Sequence, residues 1–134
     1  MIVQLIYLET YDWLVKVFYN TTPEDSEIIL KELDDIDCKP DAFYKAAEIL
    51  ESGVLNTGFT YTDTELHVTF VIINETDSAK EFLNTLAHEV IHVAMHIGEF
   101  YRLDYKSEDI SYLVGDIIYE MYDSAKDFLC EHCR

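Results

Sequence analysis

The chain has 134 residues, of which 27 are acidic and 9 are basic, so its formal net charge is −18. This length suits one domain with its own hydrophobic core, and we interpret residues 1–134 as a single domain. A hydrophobic fraction of 49% with only 4 Gly and 2 Pro excludes a disordered or low-complexity chain. The acidic excess disfavours direct binding to nucleic acid or to anionic membranes. It indicates a solvated acidic surface, with attraction of a basic partner or mimicry of DNA as the alternatives.

The N-terminal segment is apolar, but it has no basic leader and no small-residue cleavage site, and Glu9 and Asp12 interrupt it. It is therefore typical of a strand and not of a signal peptide. No apolar run approaches the roughly 18 residues that a membrane span needs. These features predict a cytoplasmic protein.

The cysteines Cys38, Cys130 and Cys133 are odd in number and cannot all pair within the chain. Reduced thiols are the default in a cytosolic protein. Cys130 and Cys133 have the spacing of half a zinc site, with His132 between them, but a closed structural site needs two further ligands. We therefore expect free thiols on a frayed helix end.

The first half of the chain predicts two strands and then two helices. Residues 2–8 and 11–19 are rich in β-branched and aromatic residues, as expected for an antiparallel pair. Helical spacing of apolar residues then predicts a helix over 24–36, with an N-terminal cap candidate in the Asn-Thr-Thr-Pro run before it. A second helix over 41–52 ends at the Ser-Gly pair that follows its last apolar residue.

The second half predicts a hairpin and two long helices. Residues 57–62 and 66–73 form the hairpin, and the second strand is apolar enough to be covered on both faces. A helix over 78–97 begins at a capping box and stops at Gly98. The last helix, over 107–129, carries a broad apolar stripe. The order of elements predicts an α+β fold in which an antiparallel or mixed sheet of about four strands packs on helices.

The helix over 78–97 carries the sequence His88-Glu89-Val90-Ile91-His92. Residues four apart on an α-helix differ by about 40° in azimuth and about 6 Å along the axis, so His88 and His92 can converge on one Zn²⁺ ion. Glu89 lies about 100° round from His88, where it reaches a water on the metal and serves as a general base. His96 lies about 12 Å along the axis from His88, so we expect it to be a neighbour of the site and not a ligand.

A catalytic zinc needs a third protein ligand, and we expect it from the last helix. The candidates are Glu108, Asp109 and Asp104. Glu108 shares a strip with Ser111, Gly115 and Tyr122, whose small or amphipathic side chains would allow the helix over 78–97 to approach closely. We therefore predict Glu108 as the third ligand. The alternative is a first-turn acid that only complements the helix dipole.

The His-Glu-Val-Ile-His sequence with a glutamate on the next helix resembles the zincin metallopeptidases, specifically those with a ligand set of two histidines and a downstream glutamate. The runs Asn84–His92 and Ser107–Gly115 also resemble small zincin-like proteins of bacteriophages and bacterial mobile elements. The likeness covers about residues 57–118. The chain has no room for the larger C-terminal domain that zincins of this type carry.

The resemblance implies hydrolysis of an amide bond by a zinc-bound water, with Glu89 as general base and His88, His92 and Glu108 as ligands. The substrate would be a peptide or protein, including basic ones, and it would lie along an edge strand for which 66–73 is the counterpart here. A second hypothesis is a non-catalytic acidic accessory or inhibitor protein that binds a basic partner or mimics DNA. Its zinc site would be structural or vestigial, and Glu89 would be dispensable.

Overall fold

The computed structural model describes residues Met1–Arg134 as a mixed four-stranded sheet covered by four α-helices. This architecture confirms the predicted α+β class. The strands are β1 (Ile2–Leu8), β2 (Trp13–Thr21), β3 (Gly58–Asp63) and β4 (Val68–Asn74). The helices are α1 (Ser26–Asp35), α2 (Pro40–Ser52), α3 (Ala79–Phe100) and α4 (Glu108–Ala125).

The sheet has the strand order β1-β2-β4-β3. β1 and β3 are antiparallel to their neighbours, whereas β2 and β4 run parallel. The expectation that residues 66–73 form an edge strand is wrong, because β2 pairs with β4 on the side opposite β3. β3 is the edge strand, so one side of its backbone is left without a strand partner.

The two faces of the sheet pack against different helix pairs. One apolar cluster joins alternate residues of β2, such as Val15 and Val17, to the buried faces of α3 and α4. The other joins Phe18 and Ile72, which point the opposite way, to α1 and α2. Both clusters draw on β4, and this explains the nearly continuous apolar sequence of that strand.

Two of the predicted helix ends, the N-terminal cap of α3 and the C-terminal end of α2, are observed. Ser78 caps α3 by accepting a hydrogen bond from the Glu81 amide at 3.1 Å, and Gly53 ends α2 in a left-handed conformation with φ of 63°. The predicted stop at Gly98 is wrong, since α3 continues to Phe100. A Cβ at Gly98 would lie 2.6 Å from Ile110 Cδ1, so this glycine permits the close approach of α4.

The buried stripe of α4 is narrower than predicted. It consists of Leu113, Ile117, Met121 and Ala125, whereas Ile118, an apolar residue of the same helix, is 42% exposed.

The expectation that α3 approaches the strip containing Ser111 and Gly115 is also wrong. Ser111 is exposed, and a Cβ at Gly115 would have no atom within 4 Å. The physical reason is helical phase. Gly115 is two residues from both Leu113 and Ile117, and two steps of about 100° place it nearly opposite the buried stripe.

The predicted frayed end is wrong as well, since the C-terminal residues contact the start of α3. After a short 3-10 helix over Lys126–Leu129, the Glu131 carboxylate accepts a hydrogen bond from the Ala79 amide at 2.7 Å. The Arg134 guanidinium donates to Thr76 Oγ1 at 3.0 Å and also to the Thr76 carbonyl. None of the three cysteines forms a disulfide bond. None of the helices combines the length and apolarity that a membrane crossing requires.

Replacement of Gly115 by alanine is expected to stabilise the protein by about 0.5–1 kcal/mol, because alanine is the better helix former and the added methyl group meets nothing. Urea unfolding measures the change. Gly98→Ala is the matched control and should gain less, because Ile110 must move to make room. A destabilised Gly115→Ala variant would show that this strip of α4 packs against another part of the chain.

Candidate metal centre

His88 and His92 converge on one point at the surface of α3. Their Nε2 atoms lie 3.2 Å apart, and the ring centroids are separated by 4.8 Å. Two nitrogen ligands at about 2.0–2.1 Å from a tetrahedral zinc ion would lie about 3.3 Å from each other. The observed separation therefore fits two ligands of one ion. The His88 side chain is 67% exposed, so an ion can reach it from solvent.

Glu89 is buried beside this histidine pair. The residue is only 4% exposed, and its Oε2 atom lies 3.9 Å from His88 Nε2. Its Oε1 atom accepts a hydrogen bond from the Thr60 hydroxyl at 2.8 Å. A Cβ at Gly58 would lie 2.8 Å from Glu89 Cγ, so the glycine leaves the space that this side chain occupies. Two residues of the edge strand thus fix the carboxylate next to the histidines.

Sequence reasoning missed Gly58 and Thr60. The available signal was the alternation in β3, which places Gly58, Thr60 and Thr62 on one face of the strand. Small and hydroxyl-bearing residues on that face allow a helix to lie close and offer it hydrogen bonds. The alternation alone does not say which helix lies there.

His96 lies beside the pair, as predicted, and its ring centroid is 6.0 Å from that of His92. Its Nδ1 atom is 2.8 Å from the Thr62 hydroxyl, which in turn is 2.8 Å from the Thr69 hydroxyl. The Trp13 indole donates to Thr69 at 2.9 Å, so a hydrogen-bonded chain runs from His96 into the core. Burial lowers the pKa of His96, and the neighbouring His92 lowers it further.

Glu108 is not brought to the histidine pair. It is the exposed first residue of α4, and the first turn of that helix packs at Gly98 through Ile110. Gly98 lies about 9 Å further along the axis of α3 than His92. Asp104 accepts a hydrogen bond from its own turn at Lys106.

No group of three or more His, Cys, Asp or Glu side chains is gathered for one ion anywhere in the structure. Asp109 is exposed, like Glu108, on the first turn of α4. The structure thus brings together His88, His92 and Glu89, while the predicted role of Glu108 has no contact that supports it. The Cys130–Cys133 turn lies beside Ala79, at the N-terminal end of α3, whereas α4 packs near the C-terminal end of α3.

The centre lies in a groove between β3 and α3 that consists of three adjoining pockets. A central pocket of about 220 Å³ contains the three histidines and Glu89. On one side it shares Gly58, His88 and Glu89 with a polar pocket of about 280 Å³, which also includes Asn84 and Thr85. On the other side it opens into a large pocket of about 600 Å³, whose apolar lining includes Phe59, Tyr61 and Phe100.

Replacement of Thr60 by valine is expected to destabilise the protein by about 1–3 kcal/mol, because the buried Glu89 carboxylate loses its hydrogen-bond donor. Chemical denaturation measures the loss, and Thr64→Val, at an exposed turn residue, is the control. In a Glu89→Ala background the same substitution should have a much smaller effect. An equal loss in both backgrounds would show that the Thr60 hydroxyl acts through another contact.

Comparisons with known proteins identify no relative of this chain. No protein-family model, no curated protein and no solved structure matches the chain. The resemblance to zincins therefore remains a prediction from the sequence.

Proposed function

We propose that the protein is a zinc-dependent metallopeptidase in which His88 and His92 are two of the metal ligands. The observation that carries the proposal is the 3.2 Å separation of the two Nε2 atoms, with the buried Glu89 carboxylate 3.9 Å from one of them. The path of the chain supports it too, because an edge strand, β3, precedes α3 with one inner strand between them.

Each residue then has a defined part in hydrolysis. His88 and His92 would hold a zinc ion, which would supply a Lewis acid to polarise the substrate carbonyl and acidify water. Glu89 accepts the proton that the attacking water loses, and it returns that proton to the amine that leaves. Thr60 holds the carboxylate in place through its hydrogen bond, so Glu89 keeps one oxygen free for this transfer.

A peptide in extended conformation fits the groove. The free side of β3 offers backbone hydrogen-bonding groups to which a further strand can add. The large pocket next to His96 then receives an apolar side chain against Phe59 and Phe100. The net charge of −18 attracts basic peptides from solution and repels acidic ones.

The outer face of α4 favours a second function, binding of a basic partner without catalysis. The helix has no Lys or Arg, and its acidic residues are Glu108, Asp109, Asp116, Glu120 and Asp123. Tyr112, Tyr119 and Tyr122 are exposed among them. Such a surface suits arginine side chains, which pair with carboxylates and stack on aromatic rings.

Protein purified without added metal is expected to contain about one equivalent of zinc, and His88→Ala and His92→Ala should each abolish it. Elemental analysis of the purified variants measures this. Glu108→Ala should keep its zinc because Glu108 lies apart from the pair, and a Cys130→Ser/Cys133→Ser variant should keep it as well. Loss of zinc in Glu108→Ala would show that α4 moves to supply the third ligand, and a zinc-free wild type would contradict the metal centre.

Replacement of Glu89 by glutamine is expected to reduce kcat on fluorogenic peptides by about 10²–10⁴-fold while zinc content is unchanged, because the amide cannot accept the proton. Glu48→Gln, at an exposed position of α2, is the control and should retain full turnover. Full turnover in Glu89→Gln would remove Glu89 from the reaction. A wild type that binds zinc and a basic partner but cleaves nothing would favour the second function.

A further inference from the structure

β1 forms the second free edge of the sheet, at the end opposite β3. It pairs only with β2, and no backbone hydrogen bond outside the sheet involves the residues Ile2–Leu8. Edge strands of folded proteins are commonly protected by a lysine, a proline or a bulge. Ile2–Leu8 contains no proline, no glycine and no charged residue, and its register with β2 is regular throughout. This edge is therefore open to a further strand.

One face of this edge carries exposed apolar side chains. Val3, Leu5 and Tyr7 are 46%, 61% and 59% exposed, whereas the residues that alternate with them pack towards α4. Leu5 pairs with Lys16, whose amine binds Glu32 of α1, so the three side chains lie on the face that α1 covers further in. Single exposed apolar residues are common on protein surfaces, but three on one side of an open strand form a contact surface.

The other face of this edge is lined by carboxylates of α4. Gln4 donates a hydrogen bond to the Glu120 backbone carbonyl at 2.7 Å, and this contact holds the helix alongside β1. A pocket of about 340 Å³ lies between α4 and the C-terminal half of β1, and it contains no basic residue. Its three carboxylates belong to Glu9, Asp116 and Glu120. None of them forms an ion pair within the protein, so they are free to bind cations of a partner.

We infer that β1 binds an extended segment of a partner protein in which basic and apolar residues alternate. A strand that adds to β1 presents successive side chains to opposite faces of the sheet. One set of side chains then meets Val3, Leu5 and Tyr7, and the other set meets the carboxylates of α4. The inference holds whether or not the groove at β3 cleaves peptides.

The spacing of the carboxylates matches such a strand. Asp116 and Glu120 are four residues apart on a helix, which corresponds to about 6 Å along its axis. Side chains on one face of a strand are about 6.8 Å apart. Two basic residues separated by one apolar residue can therefore each meet one carboxylate.

The charges on this face disfavour a second copy of the chain as the occupant. β1 has no basic residue, and a two-fold pair of β1 strands would place the α4 helices of both copies on one face of the joined sheet. Their carboxylates would face each other without a cation between them. Burial raises the pKa of the Tyr11 phenol in this pocket, and Asp109 and Asp116 raise it further, so the potential is already negative in one copy. A basic strand relieves this repulsion.

Binding of synthetic peptides to the full chain, freed of metal with a chelator, tests the inference. The probe is a fluorescent eight-residue peptide in which Lys and Val alternate. A second peptide has the same composition in two blocks, and a third alternates Glu and Val. The alternating Lys-Val peptide should bind at least about tenfold more tightly than the block peptide, and the Glu-Val peptide should not bind. Equal affinity for the two Lys-Val peptides would overturn the inference, because net charge alone would then explain the binding.

Variants on both faces of the edge test the two sets of contacts. Asp116→Asn/Glu120→Gln should weaken binding of the alternating peptide by about fivefold, because two ion pairs are lost. Leu5→Thr keeps a strand-forming residue but removes an apolar contact, and it should weaken binding by about threefold. Glu48→Gln/Glu51→Gln removes two charges from exposed positions of α2 and is the matched control, with affinity within about twofold of the wild type. Equal losses in the control and the α4 variant would overturn the inference.

Hydrogen exchange locates the bound peptide. The backbone amides of β1 should gain protection and those of β3 should not. Protection at β3 alone would show that the peptide lies in the groove of the proposed peptidase, and it would overturn the inference. Protection at β1 in a protein that neither holds zinc nor cleaves peptides would support the inference and refute the peptidase. A dimer in analytical ultracentrifugation that Leu5→Thr dissociates would show that a second copy occupies the edge instead.

Discussion

The hydrogen bond from Thr60 to Glu89 is the contact on which the whole site depends. It satisfies a carboxylate that is almost completely buried, and it joins the edge strand to α3 at the point where Gly58 leaves room. Once Glu89 faces β3, helical phase fixes the histidines. His88 lies about 100° from it and His92 about 60° from it in the same direction, so both point to the open side of the groove.

A polar and an apolar pocket lie on either side of this contact. The groove between β3 and α3 continues from the central pocket into a polar pocket at Gly58 and a large apolar pocket at Phe59. Thr85 lines the first of these, and its buried hydroxyl has no hydrogen-bond partner.

Local features were predictable from the sequence, whereas contacts between distant elements were not. The periodicity of the strands and helices gave their positions, and the spacing of His88 and His92 gave their convergence. The local sequence does not show that β2 pairs with β4. This pairing makes β3, and not β4, the edge strand. The small residues of the α4 strip containing Glu108 predict close packing against α3. This prediction is wrong, because the buried stripe of α4 lies almost opposite that strip.

X-ray absorption spectroscopy of the zinc-loaded protein tests the central claim most directly, because it reports the atoms that bind the metal. The account predicts imidazole nitrogens from two histidines at about 2.0–2.1 Å, and it predicts that one of them disappears in His92→Ala. Sulfur ligands at about 2.3 Å would place the zinc at Cys130 and Cys133 instead, and a spectrum without imidazole would contradict a metal centre at His88 and His92.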